Sequence, residues 1–166
     1  TNSKILSDGI AASYYGASNV GEVVSRCKYG NGGDFPDYLI RLSLKAFRKH
    51  ISNRHYDLVL YVPPTESGDL VKNFAVTIAS VLCLSLSHGI YKIRETLPQK
   101  SLNSAISKKE NVKDAFDISE DVNGKTILLI DDIYGSGTTI KSIAKMLEGK
   151  GAIEVVPLVI AKKVRH

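Results

Sequence analysis

The clearest hydrophobic pattern in the chain is a short apolar run that gives way to two acids and a glycine-rich turn, Thr126-Ile-Leu-Leu-Ile-Asp-Asp-Ile-Tyr-Gly-Ser-Gly-Thr-Thr139. From Thr126 to Ile130 every residue is β-branched or apolar, which suits a strand buried on both faces of a parallel sheet. Asp131 and Asp132 are expected to end that strand, and a helical run follows from Ile140 to Gly149. Tyr56 to Val62 reads as a second buried strand, stopped by Pro63-Pro64. Asp69 is placed to cap an apolar helix reaching about Ser87, and Ile90 to Ile93 make another short strand. Upstream, Asn19 is expected to cap a helix to about Lys28, with Val20, Val23, Val24 and Cys27 on one face. Asp37 is expected to cap a second helix, with Leu39, Leu42, Ala46 and Phe47 inward and Arg41, Lys45 and Arg48 outward. Ala115 to Ile118 alternates like a strand, and Asn123-Gly124 is a tight turn. Residues 1–18 are polar and rich in Gly, Ser and Tyr, with Tyr14-Tyr15-Gly16 as a turn or short strand. The strand–loop–helix–strand order occurs twice, which predicts an α/β fold with a mainly parallel sheet flanked by helices.

In such sheets ligands bind at the carboxyl ends of the strands, where the loops 63–68 and 131–139 both fall. A glycine-rich turn entering a helix presents unpaired N–H groups and the positive end of the helix dipole, which suits a phosphate. Two common phosphate loops are excluded: no lysine follows Gly137 before Lys141, and Ile140 stands where a dinucleotide fingerprint needs its third glycine. A plain capping turn needs only one acid. An acid pair beside a phosphate cradle points to a ligand carrying hydroxyls and phosphate together.

Residues 95–114 are mostly polar and include Pro98, Gln99, Lys100, Lys108 and Lys109. Such a stretch inside a compact domain reads as a lid, or else as a solvated excursion with a short helix at Ser101 to Lys108. At 166 residues there is room for one domain with a real core. Cys27 and Cys83 are too few for a disulfide framework or zinc site, and Cys83 is expected to be buried. His50, His55, His88 and His166 have no metal-like spacing and are expected at the surface or at helix ends. No apolar run approaches a membrane span and no secretory signal opens the chain, so the cytoplasm is the expected setting. Met146 is the sole methionine, so the chain is expected to be processed or cut from something larger. The net charge of +5 fits a polyphosphate ligand as well as nucleic acid.

The apolar run, two acids, two apolar residues and small-hydroxyl-Gly-x-Thr resemble the phosphoribosyl pyrophosphate (PRPP) motif of type I phosphoribosyltransferases. Arg94-Glu-Thr-Leu-Pro-Gln99, Leu102, Asn111-Val112 and Ala115-Phe116 look like the ComF branch of that family, as do Tyr15-Gly16 and Lys28-Tyr29-Gly30. The chain departs from the branch in three places. It has no four-cysteine zinc ribbon, Val71 to Ala75 replace an Arg-Gly-Phe-Asn-Gln stretch, and Lys108 stands for a lid arginine.

The resemblance implies a Rossmann-like type I phosphoribosyltransferase fold with a small or absent hood, residues 1–30 being the candidate hood or extension. It implies that Asp131 and Asp132 meet the ribose hydroxyls and, through ligand or water, Mg2+. Gly135, Ser136, Gly137, Thr138 and Thr139 would hold the 5-phosphate. Pro64, Thr65, Glu66, Ser67, Lys72 and Arg94 would hold the pyrophosphate, with Lys92 a further candidate. Gln99, Lys100, Lys108 and Asn111 would belong to the lid. The implied reaction is Mg-dependent transfer of phosphoribosyl from PRPP to a nitrogenous acceptor with release of pyrophosphate. The alternative is a PRPP-binding or regulatory module of a DNA-uptake or helicase-type protein. A homodimer, and nucleic acid reached through a larger parent chain, complete the expected partners.

Overall fold

The computed structural model describes residues 3–15, 19–30, 33–65, 68–98 and 101–164. Their order is β1 (Ile10–Tyr15), α1 (Val20–Tyr29), α2 (Asp37–His50), β2 (Leu58–Tyr61), α3 (Leu70–Leu82), β3 (Ile90–Lys92), α4 (Ala105–Val112), β4 (Phe116–Ile118), β5 (Thr126–Tyr134), α5 (Thr138–Gly149) and β6 (Glu154–Lys163). Four strands form an all-parallel sheet in the order β1-β6-β5-β2. None of the described helices is long and apolar enough to cross a membrane.

Strand β5 explains why the apolar run has no polar face. Its side chains alternate between two cores. Leu128 and Ile130 pack with α1, α2 and α3 residues such as Val24, Leu39 and Phe74. Ile127 and Leu129 face Ile140, Ile143 and Leu147 of α5, together with Val112 and Phe116. Helices therefore cover both faces, which places the carboxyl end of β5 at the rim of a three-layer molecule. Leu129 is fully buried, so Leu129→Ala should lower stability by about 2–5 kcal/mol through lost burial and the cavity left behind. A fall in the urea midpoint with an unchanged slope would show it.

Several boundaries differ from those the sequence predicts. Strand β5 runs through the acid pair to Tyr134, because β6 keeps pairing beyond it: Asp131 lies opposite Val159, and Tyr134 opposite Lys162. Asp37 lies inside the first turn of α2, after Pro36, and makes no capping bond; Asn19 and Asp69 precede their helices without one either. Helix α3 stops at Leu82, where Cys83 takes a left-handed conformation (φ 54°) and is exposed rather than buried. The chain then lies along β2: the Val59 N–H donates to Ser85 O at 2.7 Å, and the Ser87 N–H to Val59 O at 3.0 Å. That edge pairing is what ends the helix early. Strand β3 does not extend the main sheet; it pairs antiparallel with β4 and frames the segment 95–114.

The N-terminal stretch is also more regular than its polar composition suggests. Leu6 bridges to Val155, and β1 pairs with β6 from Ile10 onward. Gly9 sits between these contacts, close enough to Pro157 that an added Cβ would stand 2.2 Å from Pro157 O. Among the described residues of 1–30, β1 is thus an edge strand and α1 packs on the sheet.

Candidate functional site

A cavity of about 240 Å³ opens at the carboxyl ends of β2 and β5, where the parallel topology predicts a ligand. Its floor is the acid pair and the glycine-rich turn. The Asp132 N–H donates to Asp131 Oδ1 at 2.8 Å, and the Ile133 N–H donates to Asp132 Oδ1 at 2.6 Å. Asp132 is only 4% exposed. Burial, and then the adjacent Asp132 charge, push the Asp131 carboxyl well above the ordinary carboxylate range, against the pull of the Asp132 N–H and the Lys28 ammonium.

Gly135, Ser136, Gly137, Thr138 and Thr139 line the same cavity. Gly137 is the N-cap of α5 at φ 77°, so the first N–H groups of the helix open into the cavity region without a side-chain cap. Ser136 Oγ and Thr138 Oγ1 lie 3.0 Å apart. An uncapped helix start flanked by two hydroxyls is suited to receiving an anion.

One wall comes from the loop after β2 and from β3. Pro63, Pro64 and Thr65 line it, and Lys92 Nζ donates to Thr65 Oγ1 at 2.7 Å. Partial burial lowers the Lys92 pKa, against the opposing pull of Glu95. Thr65 Oγ1 also lies 3.4 Å from Thr96 Oγ1. Glu66 and Ser67 lie outside the described residues.

The other wall comes from parts of the chain that no sequence motif assigns to the site. Lys28, at the end of α1, places Nζ 2.8 Å from Asp132 Oδ2. Burial opposes the Lys28 charge, but the Asp132 carboxylate outweighs it, and the ammonium is held above its ordinary pKa. Tyr29, Tyr15, Tyr134 and Lys163 complete this side. Lys163 Nζ stands 5.7 Å from the Tyr15 ring centroid. In sequence Lys28-Tyr29-Gly30 stands out only by its resemblance to the ComF branch, with no role assigned; its approach to Asp132 is a tertiary event.

Two expected pyrophosphate ligands stand elsewhere. Lys72 is not among the residues lining the cavity, and neither is Arg94. The Arg94 guanidinium donates to Glu110 O at 2.9 Å and to Lys113 O, tying the end of α4 back to β3. A side chain spent on two carbonyls is a brace for this segment. Asn111 braces it too: its amide exchanges two 2.8 Å hydrogen bonds with the backbone of Leu97, while its side still lines the cavity. Ser142 Oγ donates to Val112 O at 2.7 Å and anchors α4 to α5. The short helix begins at Ala105, capped by Ser104, not at Ser101. Lys108 does not line the cavity, and Gln99 and Lys100 lie outside the described residues. Arg94→Ala should therefore unfasten α4 locally. Faster amide exchange in residues 105–113, with under about 1 kcal/mol lost in global stability, is the expected outcome.

His50, His55 and His88 are all at the surface, as expected. His88 stacks edge-on to Tyr61, with Nδ1 2.8 Å from the tyrosine oxygen. Among the described residues no group of three or more His, Cys, Asp or Glu could hold a metal ion by itself.

With fold and cavity in place, comparison with known proteins identifies the class. Residues 73–165, more than half of the chain, match the model of the phosphoribosyl transferase domain. The chain belongs to that family. It is 30% identical over 86 residues to the DNA utilization protein YhgH of Salmonella typhi, a match covering 46% of this chain and 37% of that protein. The chain thus spans well under half the length of this relative, and the similarity supports the ComF-like branch. Among solved structures, it resembles the purine phosphoribosyltransferase of Pyrococcus horikoshii with a TM-score of 0.52 and 13% identity, covering 78% of this chain and 77% of that one. It also resembles the allosteric regulatory enzyme of purine biosynthesis, with a TM-score of 0.53 and 22% identity, covering 82% of this chain and 30% of that one. At such identities the likeness speaks for the fold.

Proposed function

We propose that the cavity binds PRPP and that the protein transfers its phosphoribosyl group to a nitrogenous acceptor, releasing pyrophosphate, in the cytoplasm. The observation that carries this reading is the convergence of the acid pair, the uncapped start of α5 and the 63–65 loop on one cavity. The 5-phosphate sits on the N–H groups and hydroxyls of Gly135 to Thr139. Asp131 and Asp132 accept hydrogen bonds from the ribose hydroxyls. Pyrophosphate lies toward Pro64, Thr65 and Lys92, extending to Glu66 and Ser67, with the 95–114 segment as the lid.

Displacement at the anomeric carbon gathers positive charge on the ribose in the transition state. Carboxylates fixed beside the ring stabilise that charge without reorganising. Holding donor and acceptor in line supplies the rest, and closure of the lid excludes the water that would otherwise compete. The donor set fits Mg2+: two hard carboxylates and, among the described residues, no three-ligand protein cage, so the ion would be held by ligand oxygens and water, with Asp131 and Asp132 behind them. When bound, it supplies charge compensation for the phosphates.

The test is pyrophosphate release from PRPP and Mg2+ across a panel of purines and pyrimidines. Release that depends on one base is expected, and release with none would contradict transfer. A second reading draws on the similarity to a protein named for DNA utilization. In it the module binds PRPP without transferring it, and the same assay would show binding but no release. Contacts to nucleic acid, or to a second copy of the chain, belong to that wider reading.

A further inference from the structure

Two adjacent carboxylates on a strand end that is largely shielded from water repel each other, and the fold must offset that repulsion. The partner it provides is Lys28. Its ammonium stands 2.8 Å from Asp132 Oδ2, with the two side chains only 17% and 6% exposed. The other Asp132 oxygen, Oδ1, is already occupied by the Ile133 N–H at 2.6 Å. Asp132 therefore has one oxygen held by its own backbone and the other by a lysine. The Asp131 Oδ1 likewise accepts from the Asp132 N–H. The edge of Asp132 on which a divalent ion would ordinarily bind is filled by a cation of the chain itself.

We propose that Lys28 is the resident cation of the acid pair: it takes the edge of Asp132 that a divalent metal would occupy, and holds that carboxylate in place for the ligand. Metal then has no direct site on Asp132 and enters with the oxygens of its ligand. This inference rests on the reading of the cavity as a PRPP site, but the part concerning metal can be tested without PRPP. It also gives α1 a part in the site. Lys28 is in the last turn of that helix, so the ion pair fastens α1 to the carboxyl end of β5. Its ammonium is also 5.6 Å from the Tyr29 ring centroid, which helps to hold the stem in that pose.

The geometry makes lysine-to-methionine the informative change, since it keeps most of the length of a largely buried stem and removes the charge. Removing one partner of a buried pair leaves the other charge uncompensated, and a small divalent cation is then the simplest replacement. The probe is Mn2+, followed by electron paramagnetic resonance in the full chain without PRPP. Wild type should show no Mn2+ bound at the acid pair at millimolar metal. Lys28→Met should bind one Mn2+ at least tenfold more tightly than wild type, and Lys28→Met combined with Asp132→Asn should lose it. Lys28→Arg, which restores a cation, should behave as wild type; a merely structural role for Lys28 would not predict that rescue. In parallel, PRPP affinity should fall at least tenfold in Lys28→Met and largely recover in Lys28→Arg.

Mn2+ bound by wild type alone and released by Asp132→Asn would overturn the inference. So would Lys28→Met that folds, by its thermal melt, yet matches wild type in Mn2+ binding. Should Lys28→Met fail to fold, Lys28→Gln gives the same comparison. Wild type that binds no PRPP would contradict the proposed function, while the Mn2+ comparison would still decide the role of Lys28.

Discussion

Asp131→Asn should make the empty protein more stable and the PRPP complex weaker. Burial and the neighbouring Asp132 charge raise the Asp131 carboxyl well above its ordinary range. A group whose folded pKa is raised contributes stability below its unfolded pKa and loses it as pH rises through the folded value. Above the ordinary carboxylate range, Asp131 therefore weighs against the fold. An asparagine keeps the Oδ1 that accepts from the Asp132 N–H at 2.8 Å and removes the charge. A gain of about 1 kcal/mol, equal to roughly 2–4 °C in Tm for a chain of this size, is the expected result. The slope of stability against pH above the ordinary carboxylate range should flatten in the same variant.

The ligand sees the opposite sign. Charge-assisted hydrogen bonds contribute about 1.5–3 kcal/mol each, so Asp131→Asn should weaken PRPP roughly tenfold to a hundredfold. Because the ribose hydroxyls need the ionised acid, wild-type affinity should fall as pH is lowered through the raised Asp131 pKa, and binding there should release protons. Calorimetry in two buffers of different ionisation enthalpy measures that release directly. A variant at once firmer and poorer at binding is the signature of a functional rather than a structural acid.

Gly137→Ala is the second large effect. Gly137 holds φ 77°, which an L-residue adopts only at a cost. An added Cβ would also stand 2.2 Å from the Tyr134 hydroxyl oxygen and 2.6 Å from Cζ of the same ring. The tyrosine or the turn must move, and the turn is the proposed seat of the 5-phosphate. The expected loss is more than about a hundredfold in PRPP affinity, with stability lower by about 1–3 kcal/mol. Gly137→Ala with Tyr134→Ala removes the ring atoms the new Cβ would meet, so the affinity this pair recovers is the share of the loss due to the clash rather than to backbone strain.

How much of this could be read in the chain depends on whether the signal is local. Thr126 to Ile130, the acids and the turn before α5 are contiguous, so folding keeps them together at one strand end. Helices α1 and α2 announce themselves by their spacing, with Val24, Leu39 and Phe47 buried as expected. The larger differences come from pairing between distant segments. Helix α3 looks longer in sequence because Leu82 to Ser87 is apolar enough to continue it, yet residues 85–87 find hydrogen bonds along β2. Strand β1 is legible only at Tyr14-Tyr15-Gly16, as a turn or short strand, because its partner, β6, lies at the far end of the sequence. Arg94 reads in sequence as a charge near a strand end; in the structure its guanidinium donates to the carbonyls of Glu110 and Lys113, which no local pattern announces. No spacing rule assigns Lys28 to Asp132, since only the packing of α1 on the sheet brings them to 2.8 Å.

The central claim is that the cavity at the end of β5 is a PRPP site. Titration of PRPP into the protein with Mg2+, followed by calorimetry, tests that most directly. One equivalent should bind to wild type, and the heat should vanish in the variant carrying both Asp131→Asn and Asp132→Asn. No binding to wild type, or equal binding to the double variant, would contradict it.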